Sequence, residues 1–484
     1  MDHDFPSPEE EKIIYNPSFE RMRSLSRHLE TTTEYGSPSY VTDVRSRIAD
    51  KTKNNVDHSF DDLEELREVR ESLEDREMVC LDREVGDGDH SYTCRYYVPK
   101  EQARIALAWS QLLEPASGEP DFVTVQLPDW RRDMVRVFPG DGVTYVLGSD
   151  YSGEAKKSFL RLFMYREKER GGIGLHAGSK RVTVETGEGM DTVGQLFLGL
   201  SGTGKTTLTS HGMWLEGQEE AEMVQDDVLS LHPEGSAIGS EGKGLFIKTY
   251  GLEEEEQPEL YHAATQPKSV LENVRVEEDG TVDFFDDGLT RNGRSVVQRS
   301  DLHSASEEIT LERVDQIFFI TRNSLLPPVA RLSSEQGAAA FMLGESVKTS
   351  AASEEEAGEA VRVVGTNPFI IGSRGEEGNR FLELVESVDA TCYLLNTGDV
   401  GGEEIGVEET VKILRAIVSE EIDWEELEEG LEFPKEVPGV DISRFRPEEN
   451  VGGYKEKVEE LREERRSYLK GFEDLEERII EAVY

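Results

Sequence analysis

The residues with the clearest chemical meaning form a glycine-rich run that ends in a lysine and two threonines. The run comprises Gly199, Leu200, Ser201, Gly202, Thr203, Gly204, Lys205, Thr206 and Thr207 and satisfies the pattern G-x-x-x-x-G-K-[ST]. Glycines let backbone N–H groups turn toward a polyphosphate, a lysine neutralises its outer phosphates, and a threonine hydroxyl ligates Mg²⁺. The pattern predicts a nucleotide-binding loop, and the alternative is a glycine-rich turn that binds nothing.

The segments on either side of this loop favour the nucleotide-binding interpretation. The apolar run Val193–Leu198 has the length of a strand, and Thr206 and Thr207 can open a helix. Downstream, a second short apolar run ends in Asp226 and Asp227, where nucleoside-triphosphate enzymes hold a metal. Because neighbouring side chains of a strand point to opposite faces, we expect one aspartate to ligate and the other to support it.

Two further groups of residues have types suited to the same chemistry. His176 lies between glycines in Gly174–Gly178, and imidazole is a common metal ligand, although a lone histidine is more often a core or surface residue. The segment Tyr151–Lys157 reads YSGEAKK. A pair of lysines is usually a surface feature, but beside a glycine turn and a tyrosine it could clamp an anion.

The composition restricts the possible partners and surroundings. The 484 residues include 53 Lys and Arg against 101 Asp and Glu, a net charge of −48 spread along the chain. Such self-repulsion weakens a compact state at low salt, whereas molar salt shortens the screening length to about 3 Å. The charge predicts a salt-rich cytoplasm and disfavours nucleic acid and anionic membranes as partners.

The cysteine count and the amino terminus point to the same compartment. The cysteines are Cys80, Cys94 and Cys392, an odd number without a close pair, which excludes a disulfide framework and a C-x-x-C metal site. The amino terminus carries no basic and apolar signal region, and no apolar run reaches 18 residues. We expect a cytoplasmic, soluble protein that is a monomer or a small oligomer.

Hydrophobic spacing predicts the elements around these motifs. Apolar residues three and four apart predict an amphipathic helix over 60–77, and a second helix is expected at about 101–113. The Asp279–Gly280 pair predicts a hairpin within 276–282. The tail from Tyr454 shows helical spacing as far as Ile479, which predicts a packing helix.

Taken together, the motifs resemble ATP-dependent phosphoenolpyruvate carboxykinases, strongly over about 140–420. The resemblance rests on several ordered motifs, which are GLSGTGKTTL in the loop, YSGEAKK before it and QDD after it, followed by LENV, DDG, NGR, LPPVARL and LNTG. It implies the conversion of oxaloacetate and ATP to phosphoenolpyruvate, CO₂ and ADP, the reaction that serves gluconeogenesis.

The resemblance also implies roles for individual residues. Lys157, His176 and Asp227 match the family's ligands for a transition metal, normally Mn²⁺, and Thr206 matches the ligand of the Mg²⁺ that accompanies ATP. Lys205 matches the lysine that stabilises the transferred phosphoryl group. A lysine ligates a metal only when neutral, so we expect a lowered pKa at Lys157, favoured by Lys156 and the metal charges.

The remaining matches concern the substrate and the nucleotide. Tyr151 matches a substrate-contacting tyrosine, and Arg294 an arginine that bridges the substrate and the γ-phosphate. Gln257, Ile405 and Thr410 fall where the family contacts the nucleotide, Thr410 beside the adenine.

The sequence departs from the family at two places. Relatives carry FTGRSP near the amino terminus, with an arginine for the substrate carboxylate, whereas this chain has YVTDVRS, which makes Arg45 the candidate. Glu404 stands where the family usually has a basic residue against the nucleotide. Both changes fit drift in an acidic protein, and both fit an altered affinity or a changed substrate.

These observations predict a two-domain α/β enzyme. Residues 1–170 are expected to form a mixed α/β substrate-side domain, and residues 171–484 a nucleotide- and metal-binding domain with mixed sheets and a carboxy-terminal helix. Two alternatives stay open. One is another small-molecule or protein kinase on the same loop, which would not need His176, Lys157 and Asp227 as a metal site. The other is a nucleotide-binding paralogue without catalysis.

Overall fold

The computed structural model describes residues 3, 5–187, 189–200, 202–347, 360–426 and 431–484. In chain order the strands are β1 (Ile13–Tyr15), β2 (Glu30–Thr32), β3 (Pro38–Tyr40), β4 (Thr52–Asn54), β5 (Met78–Val85), β6 (Tyr92–Pro99), β7 (Phe122–Leu127), β8 (Met134–Phe138), β9 (Val143–Leu147), β10 (Ile173–Leu175), β11 (Ala177–Thr186), β12 (Gly189–Leu198), β13 (Glu220–Gln225), β14 (Leu229–Leu231), β15 (Ala237–Gly239), β16 (Gly244–Lys248), β17 (Val270–Glu272), β18 (Arg275–Val276), β19 (Val282–Asp283), β20 (Arg294–Gln298), β21 (Thr310–Leu311), β22 (Gln316–Thr321), β23 (Val329–Leu332), β24 (Glu345–Val347), β25 (Ala360–Arg362), β26 (Thr391–Asn396), β27 (Asp399–Val400), β28 (Glu403–Glu404), β29 (Trp424–Glu426) and β30 (Glu432–Pro434).

The helices follow the same order. They are α1 (Phe19–Leu25), α2 (Leu63–Leu73), α3 (Ala103–Ser110), α4 (Ser152–Glu169), α5 (Lys205–Ser210), α6 (Pro258–Ala264), α7 (Ser334–Leu343), α8 (Arg374–Val388), α9 (Val407–Val418), α10 (Pro447–Asn450), α11 (Tyr454–Leu469) and α12 (Glu477–Glu481). No helix in the described ranges is long and apolar enough to cross a membrane. The mixture of helices and mixed sheets confirms the predicted α/β class.

The chain divides into two compact units. The first comprises Met1–Arg166 and Ser240–His303, and the second comprises Glu167–Gly239 and Ser304–Tyr484. The predicted division at about 170 falls close to the first break. The grouping of 240–303 with the first unit was not predicted, because it depends on strand pairing between distant segments.

The first unit is built on two larger sheets, besides the two-stranded pair of β18 and β19. A seven-stranded sheet has the order β1-β5-β6-β7-β9-β8-β4, and a five-stranded sheet has the order β16-β20-β17-β3-β2. In the five-stranded sheet β3 pairs in parallel with β17, so a strand near the amino terminus lies beside one more than 200 residues later. The amphipathic helix α2 buries Leu66, Val69 and Leu73 against the seven-stranded sheet.

The second unit is built on an eight-stranded sheet of order β13-β11-β12-β22-β26-β23-β30-β29, with a smaller sheet of order β10-β14-β15-β21. Strands β12, β22 and β26 are parallel, so their carboxyl ends lie at the same edge. Two apolar clusters pack on the two faces of this unit's elements, one around α7 and α8 and the other around α9. Ligands of α/β sheets commonly bind at such a carboxyl edge.

The local predictions were mostly confirmed, with shorter elements than the spacing suggested. The helix predicted over 60–77 is α2, the one at about 101–113 is α3, and the hairpin within 276–282 is formed by β18 and β19. The tail predicted as one packing helix is two helices, α11 and α12, because the chain turns at Lys470 and Gly471.

Candidate active site

One edge of the five-stranded sheet in the first unit gathers residues from four distant segments. Lys248 at the end of β16 pairs in register with Arg294 at the start of β20, which also pairs with Glu272 at the end of β17. Glu272 in turn pairs with Tyr40 at the end of β3. The loop after β3, the loop after β17 and the loop before β20 therefore lie at the same edge of the sheet. These loops carry Arg45, Asn273 and Asn292, which explains how the three residues come into contact.

Arg45 is oriented by an asparagine that follows β17. The Arg45 Nη1 donates to Asn273 Oδ1 at 2.7 Å, and the backbone N–H of Thr42 donates to the same oxygen at 2.9 Å. Asn273 has a φ of 60°, a conformation that asparagine tolerates better than most residues. The amide holds the guanidinium in place without cancelling its charge.

A second asparagine joins three of the residues implicated by the sequence. Asn292 Nδ2 donates to the backbone oxygen of Arg45 at 2.8 Å and to the Tyr151 hydroxyl at 3.4 Å. Arg294 Nη2 donates to Asn292 Oδ1 at 2.8 Å. Burial raises the pKa of Tyr151, and the nearby Arg294 charge opposes that rise. We call Arg45, Tyr151, Asn273, Asn292 and Arg294 the substrate-side cluster.

Tyr151 is fixed by the start of α4. Glu272 Oε2 accepts hydrogen bonds from the Ser152 hydroxyl at 2.7 Å and from the Ser152 backbone N–H at 3.2 Å. A Cβ on Gly153 would lie 2.3 Å from the Tyr151 ring, so only glycine allows the ring to fold against the helix. This close approach gives the glycine of the YSGEAKK motif a structural reason.

A phenylalanine missed by the sequence analysis lies among the cations of this unit. The Arg294 guanidinium is 5.4 Å from the centre of the Phe246 ring, and Lys156 Nζ is 5.9 Å from it. Lys248, also missed, has a pKa lowered by burial and by the charges of Arg294 and Arg291. These cations would favour a polyanionic ligand at this edge of the sheet.

The two lysines of the YSGEAKK motif have different surroundings. Lys156 is buried with its Nζ 2.5 Å from Glu241 Oε2, whereas Lys157 is half-buried on α4. Lys156 is therefore paired with an acidic side chain, and the lowered pKa of Lys157 stays a prediction. The metal-ligand role of Lys157 stays a prediction.

In the second unit the structure brings His176 and Asp227 together. Strands β11 and β13 are antiparallel, so the residue before β11 and the residues after β13 lie at one edge. His176 Nε2 is 3.0 Å from Asp227 Oδ1, and His176 Nδ1 lies 2.8 Å from the backbone oxygen of Thr366. A carbonyl only accepts, so Nδ1 carries a proton.

This arrangement fits a divalent metal. With Nδ1 fixed as the donor, Nε2 either bears a second proton against the carboxylate or presents its lone pair to a cation shared with Asp227. A carbonyl that orients a ligating histidine through its other nitrogen is common in metal sites. The partner of His176 is Asp227, the second aspartate of the pair, whereas the first, Asp226, is buried.

The glycine-rich loop has the predicted strand before it and helix after it. β12 ends at Leu198, and α5 begins at Lys205. Gly204 has a φ of 96°, in the left-handed region that favours glycine, and its carbonyl accepts from the Leu208 N–H at 2.9 Å. Lys205, Thr206 and Thr207 are half-buried, and Ser201 lies outside the described residues.

A cavity of about 690 Å³ lies at the carboxyl edge of the same unit. Its described lining includes Arg322, Thr397, Gly398, Glu404 and Ile405. The Thr397 hydroxyl donates to the Thr203 oxygen of the glycine-rich loop at 2.9 Å, so the cavity and the loop share a wall. The volume suits a drug-sized or nucleotide-sized ligand.

Of the other residues predicted from the resemblance to contact the nucleotide, one lines the cavity and two do not. Ile405 lines the cavity, whereas Thr410 is buried in α9 with its hydroxyl bonded to the Gly406 oxygen at 2.9 Å. Gln257 caps the start of α6 in the first unit and is half-buried. The adenine contact of Thr410 and the nucleotide contact of Gln257 stay predictions.

Comparisons with known proteins agree on one family. The phosphoenolpyruvate carboxykinase family profile matches residues 44–443. A phosphoenolpyruvate carboxykinase (ATP) of Aeropyrum pernix is 36% identical over 469 residues, 95% of this chain and 94% of the relative. Proteins with the same description from Rhizobium rhizogenes and Bacillus mycoides are 30% and 28% identical, over 75% and 85% of this chain and 70% and 81% of theirs.

The matched range includes the substrate-side cluster, the His176–Asp227 pair and the glycine-rich loop. The chain belongs to the ATP-dependent phosphoenolpyruvate carboxykinase family, the carboxy-lyases that convert oxaloacetate and ATP to phosphoenolpyruvate, CO₂ and ADP.

Proposed function

We propose that this chain carries out the family reaction with the residues of the substrate-side cluster and the second unit's metal pair and loop. The observation that carries the proposal is the meeting of Arg45, Tyr151 and Arg294 at Asn292. These three residues come from separate motifs of the sequence, and the family resemblance implies a substrate role for each.

The reaction places definite demands on the side chains. Breaking the bond between C3 and C4 of oxaloacetate releases CO₂ and leaves its electron pair on an enolate. The enolate oxygen then attacks the γ-phosphorus, and the bond to the bridging oxygen breaks to release ADP. The chemistry needs oriented cations more than it needs a base.

The chain's residues meet these demands in the following way. Arg45 binds a substrate carboxylate, and Tyr151 donates from its hydroxyl to the substrate. Arg294 lies between the substrate and the γ-phosphoryl group and offsets the charge that develops during transfer. Lys205 neutralises the outer phosphates, whose other oxygens accept from the backbone of the glycine-rich loop. Gln257 and Thr410 contact the nucleotide.

The metals are assigned by donor chemistry. Lys157, His176 and Asp227 would hold Mn²⁺, because a neutral amine, an imidazole and a carboxylate form a donor set suited to a transition metal. Thr206 ligates the Mg²⁺ of the nucleotide. A divalent ion beside the enolate oxygen supplies Lewis-acid stabilisation of the negative charge. We also propose that the protein is cytoplasmic and is a monomer or a small oligomer.

The test follows the three products in one reaction. The purified protein is incubated with oxaloacetate, ATP, Mn²⁺ and Mg²⁺ in molar KCl, and phosphoenolpyruvate, CO₂ and ADP are measured together. His176→Ala is run beside His262→Ala, which removes an exposed histidine of α6. We expect the three products in equal amounts, a loss of about 100-fold or more in His176→Ala, and unchanged rates in His262→Ala.

Two results would contradict the proposal. If ATP binds but oxaloacetate is not consumed, the reaction is not the function of this chain. If phosphoryl transfer to another acceptor proceeds with Mg²⁺ alone and survives His176→Ala, the chain is a kinase of a different kind.

A further inference from the structure

Arg322 lies at the strand edge between the glycine-rich loop and Thr397. The loop follows β12, Arg322 follows β22, and Thr397 follows β26. Because these three strands are adjacent and parallel, the three segments emerge side by side at one edge. Arg322 therefore lies between the two segments that form the wall shared by the loop and the cavity.

Direct contacts fix the position of Arg322. The Thr397 backbone N–H donates to the Thr321 oxygen at 3.0 Å, and the Thr397 hydroxyl donates to the Thr203 oxygen at 2.9 Å. A Cβ on Gly398 would lie 3.2 Å from the Arg322 Cβ, so the arginine stem packs closely against that glycine. The side chain then enters the lining of the 690 Å³ cavity.

Arg322 makes no ion pair among the described residues, and the carboxylates that share its cavity are Glu345, Asp399, Glu404 and Glu464. The Arg322 side chain is half-buried, and its Nε is buried without a hydrogen-bond partner among the described residues. Burial lowers the pKa of Arg322, and no carboxylate in the described part of the chain opposes that effect. Arg362 lines the same cavity but is paired, 2.8 Å from Glu464 and 3.6 Å from Glu345. In a chain with a net charge of −48, a half-buried guanidinium without a carboxylate leaves its donors for an anion from outside.

We propose that Arg322 binds the phosphate nearest the ribose when a nucleoside di- or triphosphate occupies the loop and the cavity. The inference rests on the nucleotide site of the proposed function and adds a residue to it. The loop backbone and Lys205 take the outer phosphates, and the cavity beyond Thr397 has the size for the nucleoside. Arg322 lies at the junction between these two parts.

The guanidinium suits this position for two physical reasons. Its planar donors match phosphate oxygens with two hydrogen bonds, which a hydrated ammonium does less well. A partly buried ion pair is also screened less by salt than an exposed one. Arg322 would therefore keep its effect on nucleotide affinity at salt concentrations that weaken surface contacts.

The test measures binding without turnover. The dissociation constants of ADP, AMP and adenosine are determined by calorimetry in molar KCl with Mg²⁺ and without oxaloacetate. The proteins are the wild type, Arg322→Gln, Arg322→Lys and Arg331→Gln. Arg331 is the matched control, because it belongs to the same unit, lies outside the lining of this cavity and is already paired with Glu432. Thermal unfolding of each ligand-free protein shows whether it is folded.

We expect Arg322→Gln to weaken ADP and AMP binding by about 10- to 100-fold, as charge-assisted hydrogen bonds to phosphate are lost, and to leave adenosine binding within about twofold. Arg322→Lys keeps the charge without the two parallel hydrogen bonds, so its ADP affinity lies between those of the wild type and Arg322→Gln. Arg331→Gln changes the ADP affinity by less than about threefold. ADP binding equal to that of the wild type in Arg322→Gln would overturn the inference, as would an equal loss for adenosine and ADP.

The outcome is separable from that of the proposed function. If the wild type does not consume oxaloacetate but Arg322→Gln still loses ADP affinity, the proposed reaction fails and Arg322 keeps its role. If turnover is present and Arg322→Gln binds ADP normally, the reaction stands and the inference about Arg322 fails.

Discussion

The substrate-side cluster of the first unit and the nucleotide cavity of the second hold their arginines in different ways. In the cluster, Arg45 and Arg294 donate to the neutral amide oxygens of Asn273 and Asn292. In the cavity, Arg322 packs on Gly398 and has no polar partner among the described residues. The two amides orient the guanidinium groups of Arg45 and Arg294 and leave their positive charge available to a ligand. The packing of Arg322 on Gly398 leaves both its charge and its N–H donors available.

Other arginines of the chain show what a structural role looks like. Arg95 donates to Asp82 at 2.8 Å, Arg136 to Asp62 at 2.5 Å, and Arg465 to Glu345 at 2.8 Å. Each of these guanidinium groups is largely buried with its carboxylate, and the pair balances its own charge. The arginines of the substrate-side cluster and Arg322 of the cavity are instead held without a carboxylate among the described residues, which leaves their charges available to an anionic ligand.

The largest effect is expected at Arg294. We predict that Arg294→Gln lowers kcat/KM for oxaloacetate by about 100- to 1000-fold, because one preorganised donor to the developing charge is removed. The matched control is Arg291→Gln, which removes a neighbouring cation that is 3.0 Å from Asp287. The measurement is the steady-state kcat/KM of both variants. An equal loss of kcat/KM in Arg294→Gln and Arg291→Gln would show that the cluster acts only through its total charge.

A smaller effect, on stability, is expected at Lys180, a buried cation that also lacks a carboxylate partner among the described residues. Lys180 is fully buried without a carboxylate, but its Nζ donates to the Leu208 oxygen at 2.5 Å and to the His211 oxygen at 2.6 Å, at the end of α5. Both contacts are internal carbonyls, so we interpret this lysine as structural. Burial lowers its pKa to about 7.

The sign of the pH dependence follows from that shift. Between about pH 7 and the unfolded pKa near 10.4, the unfolded state binds a proton that the folded state lacks, so the free energy of unfolding rises with pH in this window. We predict that Lys180→Met flattens the rise, as measured by denaturant unfolding at several pH values in constant KCl. Parallel curves for the two proteins would show that Lys180 is not the group responsible.

Much of the site was predictable because its signals are local. The glycine-rich loop is framed by a strand and a helix in sequence, and the aspartate pair follows an apolar run, so both could be identified without knowing the fold. Which aspartate meets His176 could not be predicted, since it depends on the register of β11 against β13, where the pairing shifts at Ser179.

The residues that were missed depend on long-range pairing. Asn273 and Asn292 stood within recognised motifs, but their contacts with Arg45 exist only because β3 pairs with β17 and β17 with β20. Arg322 carries no motif at all. An isolated arginine directly after an apolar strand, one strand away from the loop, is the only signal that the sequence offered.

The most direct test of the account is Asn273→Asp. The change replaces a neutral amide by a carboxylate of the same shape at a φ that aspartate also tolerates, and the Oδ1 acceptor for Arg45 and Thr42 is retained. Asn55→Asp adds the same charge at an exposed position and is the control.

If Arg45 binds the substrate because its charge is left available, Asn273→Asp raises the KM for oxaloacetate by about tenfold, leaves the KM for ATP unchanged, and differs clearly from Asn55→Asp. A KM for oxaloacetate equal to that of the wild type, in a folded protein, would contradict the account.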